Sequence, residues 1–247
     1  MHRVFIKLSY RYLLMKYYKH YSFDLWLTLI KSNPGFKIER TKIFHERYNP
    51  FSKSIEEVGL VFRQVDLMCN SINEKTGKNI DSDEMYLMVI NIISNYKSDF
   101  SNVDTGLIYK DMEQLLFKYM PIIYADETIG TLLHLKEKKG CTISLLSNTG
   151  FIKGTTLRTI LKELGLYNLF DFQIYSDEVG LSKPNSNLFN LMLNRIFQLN
   201  DAYTLQDVLH VGDNFVADIK GAENVGIQGF LINSNSISIN QIICNQQ

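Results

Sequence analysis

Short apolar runs alternate with longer segments of helical periodicity through most of this chain. The runs, which are rich in β-branched and aromatic residues, are HYSFD, CTISLLS, FQIYS, VLHVG and IQGFLI. Strands that alternate with helices form parallel sheets, because each helical crossover returns the chain to the same end of the sheet. The sequence therefore predicts an α/β fold with a doubly wound, parallel, Rossmann-like core.

The segment between the first two runs shows helical periodicity and no strand pattern. Ser54 and Glu57 have the spacing of a capping box, and apolar residues then recur at three- and four-residue steps as far as Gly77. Two further helices are predicted over residues 85–96 and 108–119. These features predict an all-helical insert, which would form a cap domain on the core.

The expected domain division follows from these patterns. We predict a core built from residues 18–33 and 120–247, a helical cap over residues 34–119, and an N-terminal extension over residues 1–17. The extension is basic and aromatic, and its lysines and arginines interrupt every apolar run, so it does not resemble a secretory signal. We expect it to pack on the core, with a membrane-surface or RNA-binding arm as the alternative. The Ser/Asn/Gln-rich C-terminal tail is expected to be peripheral.

Composition limits the class of protein and its partners. The chain has 247 residues, of which 45% are hydrophobic, and this suits a globular protein with a substantial core. Lys+Arg and Asp+Glu both total 26, so no net charge attracts nucleic acid or an anionic membrane, and no apolar stretch is long enough to span one. Cys69, Cys141 and Cys244 are too widely spaced for a zinc site or a disulfide framework, which favours the cytoplasm.

Polar side chains follow the predicted strands at the edge of the sheet where ligands bind in folds of this kind. In chain order they are Asp24, Ser147, Asn148, Lys183, Asp213, Asn214 and Asp218. Asp24, Ser147 and Asp213 could each cap a helix or form a turn after a strand, and Lys183 could be a solvated lysine of a loop. Separate caps, however, have no reason to supply several acids, a hydroxyl and a cation at one edge, so the set predicts a functional site.

These residue types together match the needs of phosphoryl transfer. An aspartate can attack phosphorus and form an acyl phosphate that water then hydrolyses. Asp24 and Asp213 are suitable ligands for Mg²⁺, which prefers carboxylate oxygens and neutralises charge on the transferring group. The residues available to hold the other phosphate oxygens are Ser147, Asn148 and Lys183. Asp218 would orient Lys183 or a metal-bound water.

Four stretches of the sequence resemble the motifs of the haloacid dehalogenase (HAD) superfamily, over residues 20–232. They are FDLWLTLI, SLLSN, EVGLSKP and VGDNFVADIKGAENVG. The resemblance implies a cap over the substrate, an attacking Asp24, and Mg²⁺ held by Asp24, Asp213 and the Trp26 main-chain carbonyl. It further implies that Lys183 takes part in catalysis. The implied phosphate-binding residues are Thr28, Ser147, Asn148 and Lys183, and the implied supporting residues behind the metal are Asn214 and Asp218.

The first motif departs from the family pattern at two positions. Phosphatases of this superfamily place a second aspartate two residues after the nucleophile, where it protonates the leaving group, and this chain has Trp26 there. Loss of general acid catalysis typically costs about 10²- to 10⁴-fold in rate. Leu27 also occupies a position where a glycine usually permits an unusual turn, so the local backbone could differ.

Three functions are consistent with this sequence. The favoured prediction is a Mg²⁺-dependent phosphatase acting on a phosphorylated small molecule through an aspartyl-phosphate at Asp24. The alternatives are a metal-independent dehalogenase, since those enzymes also carry an aromatic residue at the position of Trp26, and a non-catalytic phosphate- or metal-binding protein. Arg40, His45 and Arg47 are candidate substrate contacts from the cap, although surface positions suit them better.

Overall fold

A parallel five-stranded sheet forms the centre of the computed structural model, which describes residues 17–244. Its strands are β1 (His20–Phe23), β4 (Thr142–Ser147), β5 (Phe172–Tyr175), β6 (Val208–Gly212) and β7 (Gln228–Leu231). They lie in the order β5-β4-β1-β6-β7, and all four neighbouring pairs are parallel. The five apolar runs of the sequence are these five strands, so the predicted α/β fold is confirmed.

Helices account for most of the remaining chain. They are α1 (Pro34–Arg47), α2 (Ile55–Thr76), α3 (Ser82–Ile93), α4 (Thr105–Lys118), α5 (Glu127–Glu137), α6 (Gly154–Glu163), α7 (Ser176–Val179), α8 (Ser186–Leu199), α9 (Gly221–Asn224) and α10 (Gln241–Cys244). Short 3₁₀ turns cover Tyr167–Leu169 and Leu205–Asp207, and Phe215–Lys220 is π-helical. The predicted N-terminal extension lies outside the described residues, except for Tyr17.

The sheet separates two hydrophobic clusters, because successive side chains of a strand point to opposite faces. On β4, Leu145 belongs to one cluster and Leu146 to the other; on β6, Leu209 and Val208 divide in the same way. All four residues are buried. Burial on both faces explains why these strands are apolar runs without polar alternation.

Helices α1 to α4 form the insert and have a hydrophobic cluster of their own. Helix α2 begins with the predicted capping box of Ser54 and Glu57 and ends at Gly77, which has a left-handed φ of 70°. Helices α3 and α4 cover most of the two other segments predicted as helical. Helix α1 was not singled out from the sequence; Asn33 caps it and Pro34 begins it, an arrangement that suits a helix start.

A two-stranded antiparallel ribbon lies where the chain crosses between the sheet and the insert. Strand β2 (Ile30–Lys31) pairs with β3 (Ile122–Ile123) just before α1 begins and just after α4 ends. Lys31 Nζ adds a hydrogen bond of 3.0 Å to the main-chain oxygen of Tyr124. The two crossings of the chain are therefore held side by side.

The C-terminal tail differs from its expected peripheral position. Ile232, Ile239 and Ile242 are each at most 3% exposed. They belong to the same hydrophobic cluster as Tyr21 and Phe23 of β1. Apolar residues spaced within the polar tail thus decide its packing, and its last part forms α10. Among residues 17–244, no helix is both long enough and apolar enough to cross a membrane.

Candidate active site

The strand order brings the predicted acids together. Strands β4, β1 and β6 are neighbours, so the residues that follow them, Asn148, Asp24 and Asp213, lie at one edge of the sheet. Lys183 lies in the loop between α7 and α8. Because parallel strands end at the same edge, residues distant in sequence share one site there.

A buried lysine links two aspartates at the centre of this site. Lys183 Nζ lies 2.7 Å from Asp24 Oδ1 and 2.6 Å from Asp218 Oδ1, and both Lys183 and Asp218 are 1% exposed. Burial alone would lower the pKa of Lys183, but the two carboxylates outweigh it and hold the pKa above its ordinary value. The ammonium therefore stays charged and fixes the position of both acids.

The two carboxylates differ in their surroundings. Burial raises the pKa of Asp24 to about 6 against the opposing effect of Lys183. Burial acts on Asp218 in the same direction, but Lys183 and His210 outweigh it, and its pKa falls below the ordinary range. Asp218 also accepts a hydrogen bond of 2.9 Å from the main-chain N–H of Asn214. Asp218 is thus the permanently ionised partner of the lysine.

The turn after β1 aims the Asp24 carboxylate. The Thr28 hydroxyl donates to Asp24 Oδ2 at 2.9 Å, so Thr28 and Lys183 hold the two oxygens of one carboxylate. Leu27 has a φ of 60° at the position where glycine was expected, and its side chain is about half exposed. The turn thus has a left-handed residue although it lacks the glycine, at a typical cost of about 1–2 kcal/mol for a residue with a Cβ.

Asn148 holds the loop that carries the lysine. Its Oδ1 accepts from the Lys183 main-chain N–H at 2.7 Å, and its Nδ2 donates to the Lys183 main-chain oxygen at 3.1 Å. The side chain of Asn148 is therefore engaged with protein. Ser147 is fully buried and donates to the Asn148 main-chain oxygen at 3.1 Å. Both were predicted to bind phosphate. Asn148 lines a cavity that adjoins this site, whereas Ser147 does not.

Asp213 completes a cluster of three acids. One carboxylate oxygen from each of Asp24, Asp213 and Asp218 lies within 4.8 Å of the others. Burial, with repulsion from Asp24 and Asp218, raises the pKa of Asp213 to about 7. Three clustered carboxylates with one lysine leave negative charge uncompensated, and oxygen ligands of this kind suit Mg²⁺. The donor set fits a hard divalent cation.

A histidine behind Asp218 was missed by the sequence reasoning. His210 Nε2 lies 3.2 Å from Asp218 Oδ1, and its Nδ1 lies 3.0 Å from Ser22 Oγ. Because ionised Asp218 can only accept, His210 donates from Nε2 and accepts from the serine. His210 and Ser22 lie within the apolar strands β6 and β1. A polar residue inside an apolar run was the only signal in the sequence.

A cavity of about 760 Å³ extends from this site to the insert. Asp24, Lys183 and Asp213 line it from the sheet side, and Arg40 and Phe62 line it from the helical side. Trp26, which is partly buried against the core, also lines it. Trp26 and Asp24 thus border the same space.

The other candidate cap residues do not line the cavity. Arg47 forms an ion pair with Asp111 on the surface, and His45 is also absent from the cavity wall. Asn214, predicted to support the metal site, lines the cavity and caps the following π-helical segment through its Oδ1. Its Nδ2 donates to Glu74 Oε1 at 2.9 Å, which joins the site edge to α2.

Comparison with known sequences identifies the class of protein that this fold and site define. Residues 18–226 match the family described as haloacid dehalogenase-like hydrolase. The chain therefore belongs to this family of hydrolases, as its four motifs indicated.

Two curated relatives are phosphatases. The chain is 31% identical over 173 residues to the glyceraldehyde 3-phosphate phosphatase of Methanothermobacter thermautotrophicus, covering 64% of this chain and 72% of that protein. It is 28% identical over 212 residues to the protein of the same name from Methanocaldococcus jannaschii, covering 83% and 80% of the two chains. Phosphatases are thus among the relatives of this hydrolase.

Solved structures share the fold. The HAD hydrolase YfnB of Bacillus subtilis, determined bound to magnesium, has a TM-score of 0.67 at 18% identity, covering 91% of this chain and 92% of that one. A HAD phosphatase of Thermococcus onnurineus has a TM-score of 0.61 at 21% identity, covering 88% and 87%. The likeness extends across the sheet and the helical insert.

Proposed function

We propose that this protein is a Mg²⁺-dependent phosphatase that forms an aspartyl-phosphate at Asp24. The observation that carries the proposal is the cluster of Asp24, Asp213 and Asp218 around the buried Lys183, on the floor of a cavity. The phosphatase relatives support the same activity. The cavity has the size of a site for a small molecule, and we propose a phosphorylated one.

The proposed reaction has two steps. An Asp24 oxygen attacks phosphorus, the phosphorus bond to the leaving oxygen breaks, and an acyl phosphate forms. Water then attacks that phosphorus, which releases phosphate and restores the carboxylate. Thr28 and Lys183 orient the Asp24 carboxylate, and Lys183 adds positive charge near the phosphoryl oxygens. Asp24, Asp213 and the Trp26 carbonyl would hold Mg²⁺, which supplies further charge neutralisation.

Trp26 sets the expected range of leaving groups. Its indole cannot serve as the general acid, because it has no proton that titrates near neutral pH. Alkoxide leaving groups need that proton, whereas acyl and aryl phosphates leave without it. We therefore propose that the enzyme favours good leaving groups. We also propose a cytoplasmic location, in keeping with the free, buried thiols of Cys69 and Cys141.

Phosphate release tests this proposal. The substrates are acetyl phosphate, p-nitrophenyl phosphate and glyceraldehyde 3-phosphate, each with Mg²⁺ or with EDTA. We expect Mg²⁺-dependent turnover that Asp24→Asn abolishes and that Asp201→Asn, at an exposed turn, leaves unchanged.

The possible failures separate the other candidate functions. Phosphate binding without any turnover would favour a non-catalytic protein. Release of chloride from 2-chloropropionate in EDTA, with no phosphate release from the three phosphorylated substrates, would favour a dehalogenase. Turnover that survives in Asp24→Asn would refute the assignment of the nucleophile.

A further inference from the structure

One cation on the helical wall of the cavity has no counter-ion. Arg40 of α1 is 9% exposed and lines the cavity that Asp24 and Lys183 also line. Its Nε is buried without a hydrogen-bond acceptor, and none of the acids of residues 17–244 forms an ion pair with it. Buried charges in proteins are normally paired with an opposite charge, and this guanidinium lacks such a partner.

Aromatic rings hold the guanidinium in place. Its central carbon lies 3.9 Å from the ring centroid of Phe62, 5.0 Å from that of Phe151 and 5.5 Å from that of Phe36. Contact with ring faces stabilises a cation but provides no oxygen acceptor for its N–H groups. The guanidinium of Arg40 is therefore held in position while its N–H groups remain available as hydrogen-bond donors.

The carboxylate that acts electrostatically on Arg40, that of Asp66, is already paired with another arginine. Asp66 acts electrostatically on Arg40, but its ion pair is with Arg63, at 3.6 Å between Nη1 and Oδ2. Burial lowers the pKa of Arg40 from its ordinary value, as expected for a cation that has lost hydration without gaining a salt bridge. An oxyanion that entered the cavity would satisfy both the charge and the free donors.

We propose that Arg40 binds a second oxyanion of the substrate, a carboxylate or a phosphate, at the end distant from the transferred phosphoryl group. This assignment rests on the proposed function, because Asp24 and Lys183 define the end where phosphorus reacts. The substrate class is then a small phosphorylated molecule that carries another acidic group. The planar fork of arginine suits both carboxylate and phosphate, through paired hydrogen bonds.

Binding of phosphonates tests this proposal without requiring turnover. Trp26 is the only tryptophan and lines the cavity, so its fluorescence should report occupancy. In Mg²⁺, we expect 3-phosphonopropionate or 1,3-propanediphosphonate to bind about 10- to 100-fold more tightly than propylphosphonate, the range for a hydrogen-bonded charge. The second acidic group is a carboxylate in 3-phosphonopropionate and a phosphonate in 1,3-propanediphosphonate. The relative affinities of these two ligands therefore distinguish a carboxylate site from a phosphate site. Arg40→Met should remove this preference, so that the three phosphonates bind with similar affinity.

A matched control and a turnover assay complete the test. Arg195→Met removes an exposed arginine that also lies over a ring, that of Phe172 at 5.9 Å, outside the cavity, and should keep the preference. In turnover, 3-phosphoglycerate should be preferred over glyceraldehyde 3-phosphate, and Arg40→Met should cancel this through KM rather than kcat.

Several outcomes would overturn the assignment. Equal affinity of the parent protein for the three phosphonates would refute it, even if Arg40→Met failed to fold. A preference that persisted in a folded Arg40→Met would do the same, and Arg40→Lys, which keeps the charge without the fork, should retain part of it. Absent turnover of acetyl phosphate and p-nitrophenyl phosphate, with an intact binding preference, would instead refute the phosphatase proposal and leave the binding of a second oxyanion by Arg40 standing.

Discussion

Replacing Lys183 with methionine should expose the electrostatic cost of the acid cluster. The substitution keeps an unbranched side chain of similar length and removes the ammonium that pairs with Asp24 and Asp218, which lie 2.7 and 2.6 Å from its Nζ. The net charge of this trio would change from −1 to −2 at a place that is almost wholly buried. Removing one partner of a buried ion pair typically costs about 3–5 kcal/mol.

That cost corresponds to a lower melting temperature of about 6–20 °C for a chain of this size. The assay is urea unfolding in EDTA at pH 7.5, followed by far-UV circular dichroism. Lys220→Met is the control, because its pair with Glu223 is close, at 2.7 Å, but both side chains are about half exposed. Exposed pairs contribute about 0–1 kcal/mol, so the control should remain near the parent.

The loss should depend on pH and on metal. Without the ammonium, the folded-state pKa values of Asp24 and Asp218 rise, so the variant binds protons more readily and its deficit shrinks as the pH falls from 7.5 toward 5. Mg²⁺ should stabilise Lys183→Met more than the parent, because the cation replaces the missing charge. A deficit no larger than that of Lys220→Met, or one that is independent of pH, would refute this account of the site.

Three other variants test separate parts of the structure. Trp26→Asp should raise turnover of alkyl phosphates by about 10²- to 10⁴-fold and change that of p-nitrophenyl phosphate little, as measured by phosphate release. Burial lowers the pKa of His20 to about 3, so the folded state excludes a proton that the unfolded chain binds below about pH 6.5, and this residue by itself should reduce the stability by about 2 kcal/mol from pH 7.5 to 5. His20→Gln should lose this pH dependence in urea titrations, and an unchanged slope would contradict it. Gly212→Ala would place a Cβ 2.1 Å from Asp218 Oδ2 and should reduce both turnover and melting temperature, whereas Gly130→Ala, with open space around it, should not reduce either.

The sequence was most informative about the sheet and its ligand-binding edge. Parallel strands buried on both faces appear as continuous apolar runs, and the residue after each run must lie at the common edge. This is why Asp24 and Asp213 could be placed together although 189 positions separate them in the chain. To place Lys183 beside these acids, only one further element had to be recognised, the loop after α7.

Features that depend on contacts between distant segments were not predictable. Arg40 looked like a surface residue because α1 has few apolar positions, and its burial depends on Phe62 and Phe151, which come from α2 and from the loop before α6. His210 was not singled out because nothing in VLHVG indicates that its ring reaches Asp218. A side chain's neighbours, rather than its own segment, decide such positions.

The order of the strands has a consequence for synthesis of this protein on the ribosome. The central strand β1 is made first, yet its partners β4 and β6 begin 122 and 188 residues later. At about 5–20 residues per second, β1 waits on the order of 10–40 s for its second neighbour. Until β4 is made, neither hydrogen-bonding edge of β1 has its native partner, and until β6 is made one edge still lacks it. The helical insert, whose contacts are local, is the part of the chain that can fold meanwhile. The strand that precedes Asp24 should therefore be the segment that depends most on protection by chaperones before the chain is complete.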